Sequence, residues 1–290
     1  MSRLETRQLL YFVAVAEEKH FGRAAQRLGI AQPPLSRAIR DLEQQLGVQL
    51  LVRTTRRVAL TQAGRTLLDD AQVVLNAVAV AENHARRAGR GVSTLRLALK
   101  ADYDGGLLPM ILDVYDLLPV ELLLGGYGEQ LPALHDGRAD VALVLAPFDD
   151  RGLDSEPLIT GPRVVALAAS DPLAAHTHLQ FSDLAGRRLP YGQPADNGEP
   201  TPPFPPHSPL DHSQIFNLIE VGSAVWFLPA WLAERFPRPG ITYRPVEGLD
   251  PITLNVAWPA RSRSAAVAAF VDAAQQAART VRSRKGQPRT

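Results

Sequence analysis

Residues 21 to 64, FGRAAQRLGIAQPPLSRAIRDLEQQLGVQLLVRTTRRVALTQAG, decide the fold of the amino-terminal part of this chain. Phe21, Ala24, Ala25 and Leu28 recur at helical spacing, and the small alanines let a second helix approach closely. Gly29 supplies a turn, because it takes a positive φ without steric cost. A second helix opens with Pro33-Pro34, which are tolerated where no intrahelical N–H bond is lost. Leu35, Ile39, Leu42 and Leu46 line its apolar side, and Gln32, Ser36, Arg37 and Arg40 line the other. Ala31, just before it, offers no side-chain acceptor to cap the helix. Two short helices around a tight turn, followed by an arginine-bearing hairpin, predict a winged helix-turn-helix. Upstream, Leu9, Phe12, Val13 and Ala16 predict a supporting helix over residues 4 to 18.

The polar side of the second helix suits base edges and phosphates: Gln pairs with adenine, Arg with guanine or phosphate, and Ser with either. Beyond Gly47, Arg53, Arg56 and Arg57 cluster on the expected wing, placed for phosphates or a minor groove. Residues 1 to 65 carry 11 Arg and Lys against 5 Asp and Glu, a net of +6, whereas the whole chain is +1. That asymmetry predicts a polyanion-binding head on an otherwise acidic remainder.

Residues 62 to 89 continue with Leu67, Ala71, Val74, Val78, Ala81, Ala85 and Ala88 in steps of four and three. Thr61 can cap this helix, and Gly89 and Gly91 end it. A narrow alanine-rich seam on an isolated helix is marginal, so it needs a partner. Packing against its own chain is one solution. A homodimer seam is favoured, because it also fixes the spacing of two recognition helices.

From residue 92, strands alternate with helical stretches. Strands are expected at 94–99, 120–124, 140–145, 164–169, 224–228, 241–246 and 252–258. Helices are expected at 106–116, 128–136, from 213, at 229–236 and at 262–282. The pattern predicts mainly parallel α/β sheets forming two lobes with a cleft between them. Residues 190 to 210 hold eight prolines and read as a loop or polyproline run.

The stretch AAQRLGIAQPPLSRAIRDLEQQLGVQLLVR, followed by LTQAG at Leu60 to Gly64, resembles the DNA-binding domain of LysR-type transcriptional regulators. Leu51 stands where that family usually has Phe, and Ala31 where it has Ser or Thr. More loosely, STLRLAL, LHDGRADVALV, SDLAGR and VGSAVWFLPAWLA resemble the family's effector domain, from which residues 190 to 210 depart. The resemblance implies an α plus α/β architecture: an N-terminal winged helix-turn-helix over 1–60, a long dimerisation linker helix over 61–90, and a C-terminal two-lobed α/β domain over 91–290 like type 2 periplasmic binding proteins. Lobe I would take about 92–160 plus 261–285, and lobe II about 161–260. By resemblance, Gln32, Pro33, Pro34, Ser36, Arg37 and Arg40 face double-stranded operator DNA, with Arg53, Arg56 and Arg57 near the backbone. The implied partners are that DNA, a small-molecule effector, a second copy of the chain through residues 62–89, a homotetramer of two such dimers, and RNA polymerase.

Ligands of such domains sit at the carboxyl ends of strands and at helix starts. The end of the first strand is Lys100-Ala101-Asp102-Tyr103, with Lys100 one of only three lysines, where the family usually places Ser or Thr. A lysine there favours an anionic effector such as a carboxylate, or else forms an ordinary surface pair with Asp102 or a glutamate. Tyr127, Gly128 and the backbone N–H groups of Gly125 to Gly128 end the second strand, and Ala146 and Phe148 give an apolar side. Ser213, Gln214 and His212 start a helix of the second lobe and face the cleft in this reading.

No catalytic residues, metal ligands or cofactor are expected. The chain has no cysteine, His176 and His178 lack a third ligand, and no Gly-x-Ser-x-Gly elbow or glycine-rich phosphate loop occurs. The early apolar run Leu9 to Ala16 is too short to span a membrane, and no cleavage site follows it, so a cytoplasmic location is expected. Two alternatives stay open: a solute-binding protein using only the two-lobed domain, and a constitutive regulator without effector.

Overall fold

A computed structural model of the chain describes residues 4–53, 58–89, 93–197 and 210–285. Contacts divide it into two units, Met1–Gly89 and Arg90–Thr290. The first unit comprises α1 (Thr6–Glu18), α2 (Phe21–Arg27), α3 (Gln32–Leu46), β1 (Leu51–Arg53), β2 (Val58–Leu60) and α4 (Gln62–Ala88). Phe12 of α1, Ala24 and Ala25 of α2, and Leu35, Ile39 and Leu42 of α3 share one buried cluster with Leu50 and Leu51. Leu51 fills the position of the bulkier aromatic and remains buried.

Each local expectation has an identifiable cause. Gly29 takes φ +66° between α2 and α3, and α3 begins with its prolines in the first turn and no side-chain cap at Ala31. β1 and β2 pair antiparallel, Leu51 opposite Leu60. Glu43 fastens this wing to α3: its Oε1 accepts from the N–H groups of Leu50 and Leu51 at 2.9 and 3.1 Å. Thr61 caps α4 by accepting from Gly64 N–H at 2.9 Å while donating to Gln49 O at 2.7 Å. A Cβ at Gly64 would stand 2.1 Å from the Leu50 carbonyl oxygen, so only glycine fits where α4 passes the wing.

The seam on α4 divides in two. Leu67 and Ala71 pack against Leu9 and Val13 of the same chain's α1. Farther along, Val74 and Val78 are 42% and 38% exposed, and neighbouring Val73 is 67% exposed. The intrachain solution therefore accounts for the proximal turns of the helix, and the distal valines remain exposed.

The second unit contains β3 (Leu95–Lys100), α5 (Leu108–Val114), β4 (Val120–Gly125), α6 (Gln130–His135), β5 (Val141–Leu145), β6 (Leu153–Gly161), β7 (Arg163–Ala168), α7 (His212–Glu220), β8 (Trp226–Pro229), α8 (Ala230–Arg235), β9 (Ile241–Pro245), β10 (Ile252–Pro259) and α9 (Ala265–Lys285). Its two sheets have the orders β4-β3-β5-β10-β6 and β8-β7-β9.

The expectation of mainly parallel sheets is corrected. Only the pairings of β3 with β4 and β5 are parallel, whereas β10 and the whole second sheet pair antiparallel. The reason is topological. The chain passes to the second sheet after β6 and returns through β10, so an intervening helix no longer implies a parallel neighbour. Strand β6 is absent from the sequence reading because Pro157 interrupts it. The structure accommodates Pro157 at an edge strand, beside a register shift opposite Leu254 and Asn255. Helix α5 is shorter than expected, and α9 is displaced three residues toward the C-terminus. Of the proline-rich stretch, residues 198–209 lie outside the described residues, while 190–197 form turns with one bridge between Arg188 and Pro194.

Candidate functional site

The nucleic-acid face is built by α3. Its buried side is the seam of Leu35, Ile39 and Leu42, which leaves Gln32, Pro33, Pro34, Arg37 and Arg40 exposed and Ser36 half-buried on the other side. Arg40 Nε donates to the Ser36 carbonyl oxygen at 3.2 Å, which lays its guanidinium along the helix. Arg53 ends β1, and Arg56 and Arg57 lie outside the described residues. The unit thus presents a solvent-facing row of hydrogen-bonding side chains on a helix held rigidly from behind, as major-groove readout requires.

The second candidate site lies where the two sheets of the α/β unit meet. Tyr103, just after β3, is buried and stacks on His212 at the start of α7, with centroids 5.1 Å apart and planes at 25°. Tyr127 meets Tyr103 edge-on at 6.3 Å. On the other side, His212 approaches Trp226 at 5.6 Å and Phe236 at 6.3 Å. His212 Nε2 is buried with no hydrogen-bond partner among the described residues. Burial, followed by the nearby Lys100 charge, pushes this imidazole down to about 4, so it is neutral at physiological pH.

Lys100 ends β3 half-buried, its Nζ 5.8 Å from the centre of the Tyr103 ring. Burial lowers its pKa, and Asp211, Asp102 and Glu129 oppose that shift through space. Asp102 takes φ +68°. Next to it, Asp104 is buried and accepts from Arg235 of α8 at 2.5 Å and from the N–H of Leu108 at 3.1 Å. Arg235 therefore ties the start of α5 to the second lobe.

Not every predicted residue joins this group. Lys100, Asp102, Tyr103 and Tyr127 come together, with exposed Ala101 and Gly128 at the margin. Phe148 packs instead with Leu134 and Val144, on the opposite face of the sheet from Tyr103, while Ala146 N–H bonds to Thr253 O at the end of β5. Ser213 and Gln214 are exposed. The Gln214 side chain is held in a capping box with Asp211, accepting from its N–H at 2.8 Å. The Gly126 N–H, expected to be available, donates to Glu129 at 2.9 Å.

His212, Asp104 and Arg235 are the residues that gain importance. The Asp211-x-x-Gln214 spacing is a capping-box signal and places residue 212 in the first turn. No sequence signal marks the Asp104–Arg235 pair. A separate cavity of about 640 Å³, lined by Ile159, Gly161, Trp231, Glu234 and Arg282 among others, does not include Lys100. His176 and His178 are exposed, and the described residues contain no group of three or more potential metal ligands.

A helix-turn-helix presenting a polar reading face, followed by a two-lobed α/β unit, defines a DNA-binding regulator of modular type. Residues 6–65 match the model of the bacterial regulatory helix-turn-helix protein, lysR family, and residues 88–279 match that of the LysR substrate binding domain. The chain belongs to the LysR family of DNA-binding transcriptional regulators. The Hca operon transcriptional activator HcaR of Escherichia coli K12 is 31% identical over 290 residues, covering 94% of this chain and 98% of that protein. The HTH-type transcriptional regulator AlsR of Bacillus subtilis is 32% identical over 276 residues, 88% and 89% of the two chains. Among solved structures, CbnR, a LysR family transcriptional regulator, aligns with TM-score 0.52 at 25% identity, covering 95% of this chain and 99% of that one.

Proposed function

We propose that this regulator binds operator DNA through Gln32, Ser36, Arg37 and Arg40 of α3, aided by the wing arginines, as a homodimer formed by the exposed distal seam of α4. A tetramer of two dimers extends the same arrangement. The working division is 1–60 for DNA, 61–90 for dimerisation and 91–290 for effector binding, with lobes at about 92–160 plus 261–285 and at 161–260. Its action is binding rather than catalysis, in the cytoplasm beside the chromosome, with RNA polymerase as the target of its output. No helix among the described residues is long and apolar enough to cross a membrane.

The switch in this reading is a small anionic effector held between the lobes at Lys100. The observation that carries it is a half-buried ammonium over the Tyr103 ring, at the junction where Tyr103 meets His212. A carboxylate there gains a charge-assisted bond in a partly desolvated setting. Asp102 stays engaged with Arg235, 3.8 Å away. The test is a titration of small mono- and dicarboxylates against tryptophan fluorescence. Lys100→Gln is expected to weaken binding of any responding acid about tenfold, ~1.4 kcal/mol. Equal affinity in the variant overturns the assignment.

A further inference from the structure

The backbone of Leu50 is held from both sides. Its N–H, together with that of Leu51, donates to Oε1 of Glu43 on α3 at 2.9 and 3.1 Å. Its carbonyl oxygen accepts from the Thr61 N–H at 3.0 Å, with the Thr61 hydroxyl 3.2 Å away. Thr61 is the residue from which α4 starts, and its hydroxyl also donates to Gln49 O at 2.7 Å. Leu50 is only 1% exposed, in the core that α1, α2 and α3 share. Gly64 of α4 closes on the same carbonyl, leaving no room there for a Cβ. The covalent path from α3 to α4 runs around the wing, whereas the hydrogen-bonded path crosses a single residue.

We propose that Glu43 is a positioning residue that acts through Leu50: it fixes the angle between α3 and α4, and with it the half-site spacing that a dimer accepts, an assignment that rests on α3 being the DNA face and distal α4 the dimer seam. A carboxylate oxygen that accepts from two N–H groups makes charge-assisted bonds, the stronger kind. Glu43 is half-buried, which limits competition from water. Leu67 and Ala71 also hold α4, against α1. Those contacts are apolar and non-directional, so they tolerate rotation, whereas the hydrogen bonds through Leu50 do not.

Spacing is the diagnostic quantity. One inserted base pair moves a half-site by about 3.4 Å and turns it by about 34°. Two reading helices held at a fixed angle cannot follow that change, and two loosened ones can. A residue that merely stabilised the fold would lower affinity for every spacing alike.

The experiment uses the full-length chain and a duplex it selects from a random-sequence pool, remade with its two halves one base pair farther apart. Fluorescence anisotropy at constant ionic strength gives the ratio of the two affinities, in which a uniform loss of binding cancels. The wild type is expected to lose about tenfold on insertion, and Glu43→Ala only about threefold. Glu43→Gln keeps an acceptor oxygen in place and is expected to stay near the wild-type ratio. Thr61→Asp still accepts from the Gly64 N–H but has no hydroxyl to donate to the wing. It is expected to behave like Glu43→Ala, and it decides the matter should Glu43→Ala not fold. A wild-type ratio in either variant overturns the proposal, as does a Glu43→Gln as tolerant of insertion as Glu43→Ala. A wild type indifferent to spacing overturns the dimer reading itself, and the role of Glu43 with it.

Discussion

The two units of this protein use polar side chains in opposite ways. On α3, Gln32, Arg37 and Arg40 stand exposed on a helix whose other side is buried, so the face proposed to read DNA and the face that folds are different ones. Between the lobes of the α/β unit, Tyr103 on His212 and Asp104 on Arg235 cross from one lobe to the other, and Tyr103 also lies under Lys100, the residue proposed to receive the effector. A face of the first kind can change its sequence preference without unfolding. A junction of the second kind would tie any ligand response to the stability of the contacts between the lobes.

That contrast can be broken at its strongest point. Gly64 belongs to the scaffold of the DNA-binding unit and leaves no room for a side chain against the Leu50 carbonyl. Gly64→Val is expected to destabilise that unit by ~3 kcal/mol or more, with operator binding lost as its melting temperature falls. A melting temperature within 2 °C or so of wild type would mean that wing and helix can separate at little cost.

His212 tests the other unit. The folded state keeps it neutral down to about pH 4, while an unfolded histidine takes up a proton near 6.5. Below that value the unfolded chain binds a proton that the fold refuses. Stability from this group is thus intact above pH 7 and falls by roughly 3 kcal/mol as pH drops toward 4. Urea denaturation at pH 7 and 4.5 should show a distinctly smaller loss for His212→Phe, which keeps a stacking ring and removes the titration. Equal losses in both proteins would place the titrating group elsewhere.

A smaller effect sharpens the comparison from the DNA side. Arg37→Ala is expected to cost ~1–3 kcal/mol in operator affinity and to relax sequence preference at one base pair, with thermal stability unchanged. A drop in stability of similar size would show that reading and folding are not separated on α3 after all.

The same contrast explains what could be read in the sequence. The helix-turn-helix is assembled from contacts close in the chain, so Gly29, the paired prolines and Thr61 each announce a local geometry. The α/β unit depends on partners that meet only after the chain has crossed between sheets. Tyr103 on His212 and Asp104 on Arg235 have no local periodicity, and Pro157 conceals strand β6. For the same reason Phe148 looks like a lining residue in sequence but packs on the far face of its sheet. Lys100 is conspicuous by its rarity and by its place at the end of a strand, neither of which reveals what surrounds it.

Helix α4 has a mechanical consequence. It is fixed to α1 at Leu67 and Ala71 and carries exposed valines at Val73, Val74 and Val78, so it behaves as a cantilever whose length beyond Ala71 is about 25 Å. Over that length a tilt of about 5° at the anchored end displaces the free end by roughly 2 Å. Small angular changes at either end are thereby converted into atomic-scale shifts at the other, without any bond along the rod having to break.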